Sequence, residues 1–323
     1  MGRYVVGRLV QAGVTVAIVA TVTFALIHLA PGGPVENLFA DRAMPAAIRD
    51  YWRTKYGLDL PLYEQYWRYL VNLARGDLGW SVSLHEPVSA ALARALPSTL
   101  LLMGTAILLS FVGGIALGVA QAARPGSWTD RTLGTVSLFF HALPDFWLAL
   151  MMMLVFAYWL RMFPVGGMKD ALMYDYFTPW GQALDRLRHL VLPSLTLALL
   201  LTAGVARFQR AALLEVAGED FVRTARAKGL GERRVLLRHS LRNALLPVIT
   251  LFGVTVPALV GGTVFVEKVF AWPGMGLLAV SAIMTRDYWL VTACVIVVSV
   301  MVALGSLVAD LLYAAADPRL RAP

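Results

Sequence analysis

The stretch Glu215–Thr250 reads EVAGEDFVRTARAKGLGERRVLLRHSLRNALLPVIT and is the longest well-charged run in the second half of the chain. Uncharged, apolar segments bound it on both sides. Acidic residues near its start favour a helix over Phe221–Lys228, because the helix macrodipole stabilises negative charge in the first turn. Gly229 suits a left-handed C-cap, and Glu232–Asn243 reads as a second helix. The pattern predicts a short helix that projects from a membrane domain into the aqueous phase.

A helix of two turns is marginal in water, so packing must hold it, either on its own protein or in a groove of a partner. Thr224, Ala225 and Gly229 are small enough for another backbone to approach, and Phe221 and Val222 offer apolar anchors. Spacing alone leaves an alternative, in which the stretch is a cytosolic loop that merely carries positive charge.

Composition assigns the whole chain to the membrane. Of its 323 residues, 59% are hydrophobic and 15% are charged, against about 45–50% and about 25% in soluble proteins. The net charge is +8, but the sequence shows no basic surface interleaved with aromatic residues, so nucleic acid is not an expected partner. Cys294 is the single cysteine, which excludes a disulfide framework and a cysteine metal site. We therefore predict an all-α polytopic membrane protein in contact with the lipid bilayer.

Six nearly uncharged blocks are each long enough to cross a hydrocarbon core, which takes about 20 helical residues. They predict transmembrane helices TM1 to TM6 at 9–29, 97–121, 132–160, 189–210, 244–266 and 289–312. TM1 lacks a cleavage site of the usual kind and is expected to be a retained helix.

The short loops predict the orientation. With the N-terminus inside, cytoplasmic segments hold fifteen Lys and Arg residues, and the two short outer loops hold six. The predicted cytoplasmic segments are 1–8, the loop 215–243 and the C-terminus 313–323. The predicted outer segments are the helical insertion 30–96 and the loops 161–188 and 267–288.

The outer segment 30–96 is the largest soluble part. Helices are predicted over Pro45–Tyr56 and Leu62–Arg75, and both carry many Trp and Tyr residues. Such residues suit a membrane interface or a docking surface. The alternative is a small capping subdomain packed on its own helices.

Small residues recur every fourth position along TM2, at Ala106, Ser110, Gly114 and Gly118. Such a ridge lets helices pack closely. Its partner is either a second subunit or another helix of the same chain.

His141 and Asp145 lie one helical turn apart on the predicted TM3, so they would share a face. A carboxylate within the membrane is costly and normally faces a bundle interior or a wet cavity. The pair is a candidate for the translocation pathway. The alternative is an internal hydrogen-bonded pair that fixes helix packing.

The charged stretch resembles the coupling-loop signature of ABC importer permeases, the EAA loop, in its peptide-transporter form. That form reads roughly DFVRTARAKGL and later LRNALLPVIT, which stand here at Asp220–Leu230 and Leu241–Thr250. The general pattern is EAA, three residues and Gly. The EAA positions are occupied by Arg223, Thr224 and Ala225, so only the third letter and Gly229 match. Further matches are LAPGGPVE near Leu29, YGLDLPLYEQYWRYL from Tyr56, GDLGWS from Gly76, HLVLPSLTLAL from His189, VEKVFAWPGMG from Val266 and DPRLR from Asp317.

The resemblance implies one permease subunit of a peptide-type, binding-protein-dependent ABC importer in the bacterial inner membrane, with the type I importer fold. It implies a second, non-identical permease chain, two cytoplasmic ATPase domains that hold ATP and Mg²⁺, and an extracytoplasmic substrate-binding protein. Di- or oligopeptides are the expected substrates, and nickel chelates and glutathione are alternatives within the same family. The residues that it assigns to ATPase coupling are Asp220, Phe221, Val222, Arg223, Thr224, Ala225, Arg226, Lys228 and Gly229.

The absence of several sequence motifs argues against other classes of protein. The chain has no GxxxxGK[ST] phosphate loop, so it is not expected to bind ATP or any other cofactor. It has no GxSxG or HExxH, which argues against a membrane-embedded enzyme. A proton-coupled secondary carrier that uses His141 and Asp145 is the remaining alternative, although we find no inverted repeat of the sort that many carriers show.

Overall fold

The structure is a computed structural model that describes residues 2–29, 54, 57, 59–252, 255 and 264–316. Three predicted features lie outside the described residues: the helix Pro45–Tyr56 apart from Thr54, the middle of TM5 and the DPRLR motif from Asp317. The helices and strands in chain order are α1 Gly2–Leu29, α2 Leu62–Ala74, β1 Trp80–Ser81, β2 Glu86–Pro87, α3 Val88–Ala123, α4 Trp128–Ala142, α5 Asp145–Met152, α6 Pro179–Val216, α7 Asp220–Ala227, α8 Glu232–Arg234, α9 Leu241–Ala244, α10 Val264–Val269, α11 Met275–Met284 and α12 Tyr288–Ala316. A π-helical segment continues α5 over Met153–Trp159, and another joins α8 to α9 over Val235–Ser240.

Several observed helices are longer than the predicted spans. The helix α1 already begins at Gly2, and α3 begins at Val88 with Pro97 inside it. The predicted outer loop 161–188 ends in the first turns of α6, and the predicted loop 267–288 contains α11. Hydropathy marks the part of a helix that is apolar, whereas the backbone stays helical until a cap or a proline ends it.

Four described helices are long and apolar enough to cross a membrane: Val6–Leu29, Val88–Ala123, Pro179–Val216 and Tyr288–Val308. A fifth candidate is the pair Trp128–Ala142 and Asp145–Trp159, which is bent by 104° at its break. The region of TM5 is helical over 246–252 and again in α10, on either side of undescribed residues.

The bend corrects the prediction of one continuous TM3 over 132–160. Leu143 and Pro144 are extended, with ψ of 142° and 136°, so α4 ends at Ala142 and α5 begins at Asp145. The physical reason is that a residue before proline is driven out of the helical region.

The chain divides into two compact units. The first comprises Thr99–Pro273 and Gly305–Pro323, together with Met1, and the second comprises Gly2–Ser98 and Gly274–Leu304. Helices α3 and α12 therefore each contribute residues to both units.

The core of the first unit collects apolar side chains from α3, α5, α6 and α10. Its fully buried members include Leu102, Ala149, Leu192, Phe270 and Trp272. Gly166 lies against this core, where an added Cβ would come within 2.7 Å of the Phe270 carbonyl oxygen. Close packing here depends on small residues as much as on large apolar ones.

The small-residue ridge of α3 packs within the chain. An added Cβ at Gly114 would lie 2.5 Å from Cβ of Val205, and one at Gly118 would lie 2.7 Å from the carbonyl oxygen of Ala206. Ser110 is completely buried as well. The ridge therefore serves the α3–α6 contact, and Gly114 and Gly118 leave no room there for a helix of a second subunit.

A buried carboxylate, Asp287, joins two distant segments of the second unit. It accepts hydrogen bonds from Ser81 Oγ at 2.6 Å, from the backbone amide of Ser83 at 3.0 Å and from Ser83 Oγ at 2.9 Å. Its other oxygen accepts from the amide of Leu290 at 3.2 Å, at the start of α12. The GDLGWS motif thus forms a hairpin whose first strand, β1, is tied to the beginning of the last helix.

Candidate functional site

The helix predicted over Phe221–Lys228 is present one residue earlier, as α7. Thr224 Oγ1 donates to the carbonyl of Asp220 at 2.8 Å, within the helix. Gly229 follows with φ of +76°, and its amide donates to the carbonyl of Arg226 at 2.9 Å. The left-handed glycine therefore ends the helix as its sequence position predicted.

One face of α7 is covered by its own chain. Val222 is 0% exposed and Ala225 is 6% exposed, and both pack on Val235 with Val216 and Leu230 at the edge. This corrects the expectation that Ala225 offers a close approach to another protein and that Val222 is free as an anchor. The sequence predicts that Val222 and Ala225 form an apolar pair, but it does not predict what the pair packs against. A helix of eight residues is too short to show by itself which way its apolar face points.

A salt bridge also joins α7 to α8 across the Gly229 turn. Arg226 Nε lies 2.8 Å from Glu232 Oε1, and Arg226 Nη2 donates to Oε2 at 3.4 Å. Arg226 Nη1 also donates to the carbonyl of Ala217 at 3.4 Å. An ion pair this exposed contributes at most about 1 kcal/mol. It joins α7 to α8, and sequence reasoning missed it because the two residues lie on either side of the glycine turn.

The opposite face of α7 is open. Phe221 is 41% exposed, and Asp220, Arg223, Thr224 and Lys228 are also exposed. Arg223 lies 3.5 Å from Asp220 in a highly exposed pair. No atom of the part of the chain that the structure describes lies within 4 Å of a Cβ added at Gly229. The segment thus presents one aromatic side chain among charged and small ones, with free space above the turn.

The loop is anchored on the end of α6. Ala122, Ala212, Leu213 and Ala244 form a buried cluster that joins α3, α6 and α9. Gln209 Nε2 of α6 also donates to the carbonyl of Ala244 at 3.4 Å. The loop is therefore packed, through these side chains, on the end of a long candidate span.

A second connection joins α6 to α4. Arg210 donates from Nε to Asp130 Oδ1 and from Nη2 to Oδ2, both at 2.8 Å. Asp130 also accepts from the amide of Gly126 at 2.9 Å. Such two-pronged pairs have a fixed geometry, so α4 and α6 are held in one arrangement at this end.

The two polar residues of the predicted TM3 do not share a helix face. His141 is exposed in the last turn of α4, and its Nδ1 lies 2.6 Å from the carbonyl oxygen of Leu200. Asp145 is the first residue of α5 and accepts from the amide of Phe146 at 2.7 Å. The break at Pro144 separates them, so the one-turn spacing from which the shared face was inferred does not apply.

Sequence reasoning also missed a buried carboxylate in the VEKVFAWPGMG motif. Glu267 is 0% exposed, and Thr99 Oγ1 donates to its Oε1 at 2.8 Å. The backbone amide of Trp272 donates to the carbonyl of the same residue at 2.8 Å. The available signal was a charge at the edge of a predicted span, which we had taken only as the boundary of TM5.

A solved structure first defines the fold, which is that of a chain from an ABC transporter. A chain from the MetNI methionine ABC transporter in inward-facing conformations aligns with a TM-score of 0.57 and 19% identity, over 70% of this chain and 96% of that chain. That likeness concerns the fold.

The family follows from the sequence. The model described as "Binding-protein-dependent transport system inner membrane component" matches residues 114–322, and its N-terminal companion matches residues 1–103. The chain belongs to this family, which confirms the resemblance drawn from the motifs. Its multi-pass inner-membrane character agrees with the apolar helices.

Curated relatives match over nearly the whole length. The oligopeptide transport system permease protein AppB of Bacillus subtilis is 40% identical over 99% of both chains. The di/tripeptide transport system permease protein DppB of Pseudomonas aeruginosa is 41% identical over 94% of both. The glutathione transport system permease protein GsiC of Escherichia coli is 37% identical over 99% of both.

Proposed function

We propose that this chain is a permease subunit of an ATP-driven importer for di- or oligopeptides and forms half of the transmembrane pathway. The observation that carries the proposal is full-length similarity to peptide permeases together with a rigidly seated helix, α7, whose outer face is open. Glutathione is the second candidate substrate because GsiC is nearly as similar. A nickel chelate has no such support among these relatives.

In this proposal the chain performs no catalysis and binds no cofactor. ATP and Mg²⁺ bind to two separate ATPase domains, and an extracytoplasmic protein delivers the substrate. A second permease chain, non-identical to this one, completes the pathway. Both termini and the loop 215–243 are cytoplasmic, which is supported by the excess of cations in these segments.

The outer face of α7 is the proposed contact with one ATPase. Phe221 would enter an apolar part of the ATPase surface, and Asp220, Arg223, Thr224 and Lys228 would surround it. Val222, Ala225 and Arg226 would act indirectly, since they hold α7 on its own chain. Gly229 would allow the ATPase to approach the turn.

Coupling then follows from the anchorage of the loop. Movement of α7 on closure of the ATPases would carry α8, α9 and the end of α6 as one body. Such rigid-body motion between two discrete arrangements is a common form of alternating access. His141 and Asp145 remain candidates for the pathway as separate sites. The carrier alternative uses the same two residues, which lie on different helices.

The test is co-purification of the full-length chain with the ATPase subunits of its transport system. Phe221→Asp and Ala227→Trp change the exposed face of α7 and leave its buried face intact. We expect both to lose the ATPase and peptide uptake, because a charge or a bulky ring buried in a docked contact costs several kcal/mol. Ala123→Trp, an exposed alanine at the end of α3, is the matched control and should bind normally.

The outcomes separate the two candidate functions. If both variants insert but retain the ATPase and uptake, α7 is a charged connector and the coupling role is wrong. If the wild-type chain binds no ATPase and its uptake stops when the proton gradient collapses, the importer proposal fails in favour of the carrier.

A further inference from the structure

The second unit carries an apolar groove between α1 and α12 that has one cation at its end. Its lining includes Ile18, Val22 and Leu26 of α1 and Val291 and Val295 of α12. The groove measures about 700 Å³, within the range of about 300–1,000 Å³ that is typical of ligand pockets. Four of these side chains are exposed, from 37% at Val295 to 62% at Leu26, and Val291 is half-buried.

Arg286 closes one end of the groove. It precedes α12, and its φ of +55° places it in the left-handed region after α11. The amide of Arg286 donates to the carbonyl of Ile283 at 3.1 Å, and the amide of Asp287 donates to that of Ala282 at 2.8 Å. The backbone at this arginine is therefore fixed, although a glycine would adopt the conformation with less strain.

The positive charge of Arg286 is available to an anionic ligand. Among the described residues its guanidinium makes no ion pair, and it is exposed. The neighbouring carboxylate of Asp287 is already occupied by Ser81, Ser83 and the amide of Leu290. An anion that reaches this end of the groove thus meets an uncompensated cation.

Two observations place Arg286 at the level of lipid phosphates. The candidate span of α12 begins two residues later, at Tyr288. Tyr288 and Trp289 open that helix, and such residues are enriched at the membrane–water interface. Below this level the groove runs along the apolar lengths of two candidate spans, where the hydrocarbon chains of a lipid lie.

We propose that the α1–α12 groove binds one phospholipid, with an acyl chain along Val22 and Val291 and the phosphate on Arg286. Charge complementarity selects the occupant, since a basic group at the membrane surface recognises an anionic headgroup and the apolar lining matches a hydrocarbon chain. This inference depends only on the chain lying in a membrane and is independent of the peptide substrate.

Native mass spectrometry of the full-length chain in mild detergent tests the proposal, with titration of phosphatidylglycerol and phosphatidylethanolamine. We expect the wild type to retain one phospholipid through purification. Arg286→Gln should weaken phosphatidylglycerol binding about tenfold or more, the usual effect of losing a hydrogen bond to a charged group. Val22→Trp, which fills the groove, should lose both lipids.

Arg161→Gln is the matched control, because Arg161 is another exposed arginine with a positive φ, here +52°, in the first unit. It should bind lipid as the wild type does. Equal binding by Arg286→Gln and wild type would overturn the headgroup assignment, and lipid retention by Val22→Trp would overturn the groove. A lipid-free wild-type chain that appears as a dimer, which Val22→Trp abolishes, would show that a second copy covers this face.

Discussion

Replacement of Gly118 by alanine tests the α3–α6 contact directly. An added Cβ would lie 2.7 Å from the Ala206 carbonyl oxygen and 2.7 Å from Cβ of Gln209. The nearest atom belongs to the backbone of α6, so a side-chain rotation cannot relieve the clash. The two helices must separate by roughly 0.7 Å to restore an ordinary contact near 3.4 Å.

The expected loss of stability in Gly118→Ala follows from a comparison with Gly104, which lies on the same helix. Among the described residues, nothing lies within 4 Å of a Cβ added at Gly104. Both substitutions gain helix propensity, up to about 1 kcal/mol each. That gain cancels between them, which leaves the cost of overpacking, about 1–3 kcal/mol. We expect Gly118→Ala to be less stable than Gly104→Ala by this amount.

The assay is thermal unfolding of the full-length chain in detergent, followed by tryptophan fluorescence. A difference of about 1–3 kcal/mol corresponds to roughly 3–10 °C in Tm for a unit of this size. Gly104→Ala should unfold at or above the wild-type temperature. If Gly118→Ala is as stable as Gly104→Ala, the ridge does not pack against α6 and the argument from close approach is wrong.

Two further predictions concern the turn after α7 and the carboxylate of the second unit. Gly229→Ala should raise the rate of hydrogen exchange in α7, because an alanine in the left-handed conformation costs about 1 kcal/mol. Gly229→Asn should raise that rate less, since asparagine tolerates this conformation better. Equal exchange in the two variants would contradict the φ of +76° at Gly229. Ser81→Ala should lower the free energy of unfolding by about 1.5–3 kcal/mol, since it removes a hydrogen bond to a buried carboxylate. The same substitution in an Asp287→Asn background should cost clearly less, and a full additive loss would mean that Ser81 acts elsewhere.

Composition and spacing were sufficient for the class of fold, and they predicted the position of α7 to within one residue. Long apolar blocks and a glycine with acidic residues before it are local signals, and local signals decide where helices begin and end. The direction in which a face of a helix points depends on residues that are distant in the sequence. Val222 and Ala225 could be identified as an apolar pair, but only the position of Val235 shows that they face inward.

The prediction of one TM3 failed because hydropathy averages over a window and hides two extended residues. The 104° bend follows from these two residues and from the packing of α4 and α5 against α6, which no window contains. The Glu267–Thr99 contact spans 168 residues, so a single sequence offers no pattern for it.

The bond between Ser81 and Asp287 also constrains the order in which the protein matures. It joins positions 206 residues apart, and the buried core around Val88 and Ala91 is completed by Met275, Leu290 and Ala293. At a synthesis rate of about 5–20 residues per second, the first segment waits roughly 10–40 s for its partner. During that interval the β1–β2 hairpin and the start of α3 expose the surface that they later bury. Folding of the second unit is therefore complete only after α12 has been synthesised.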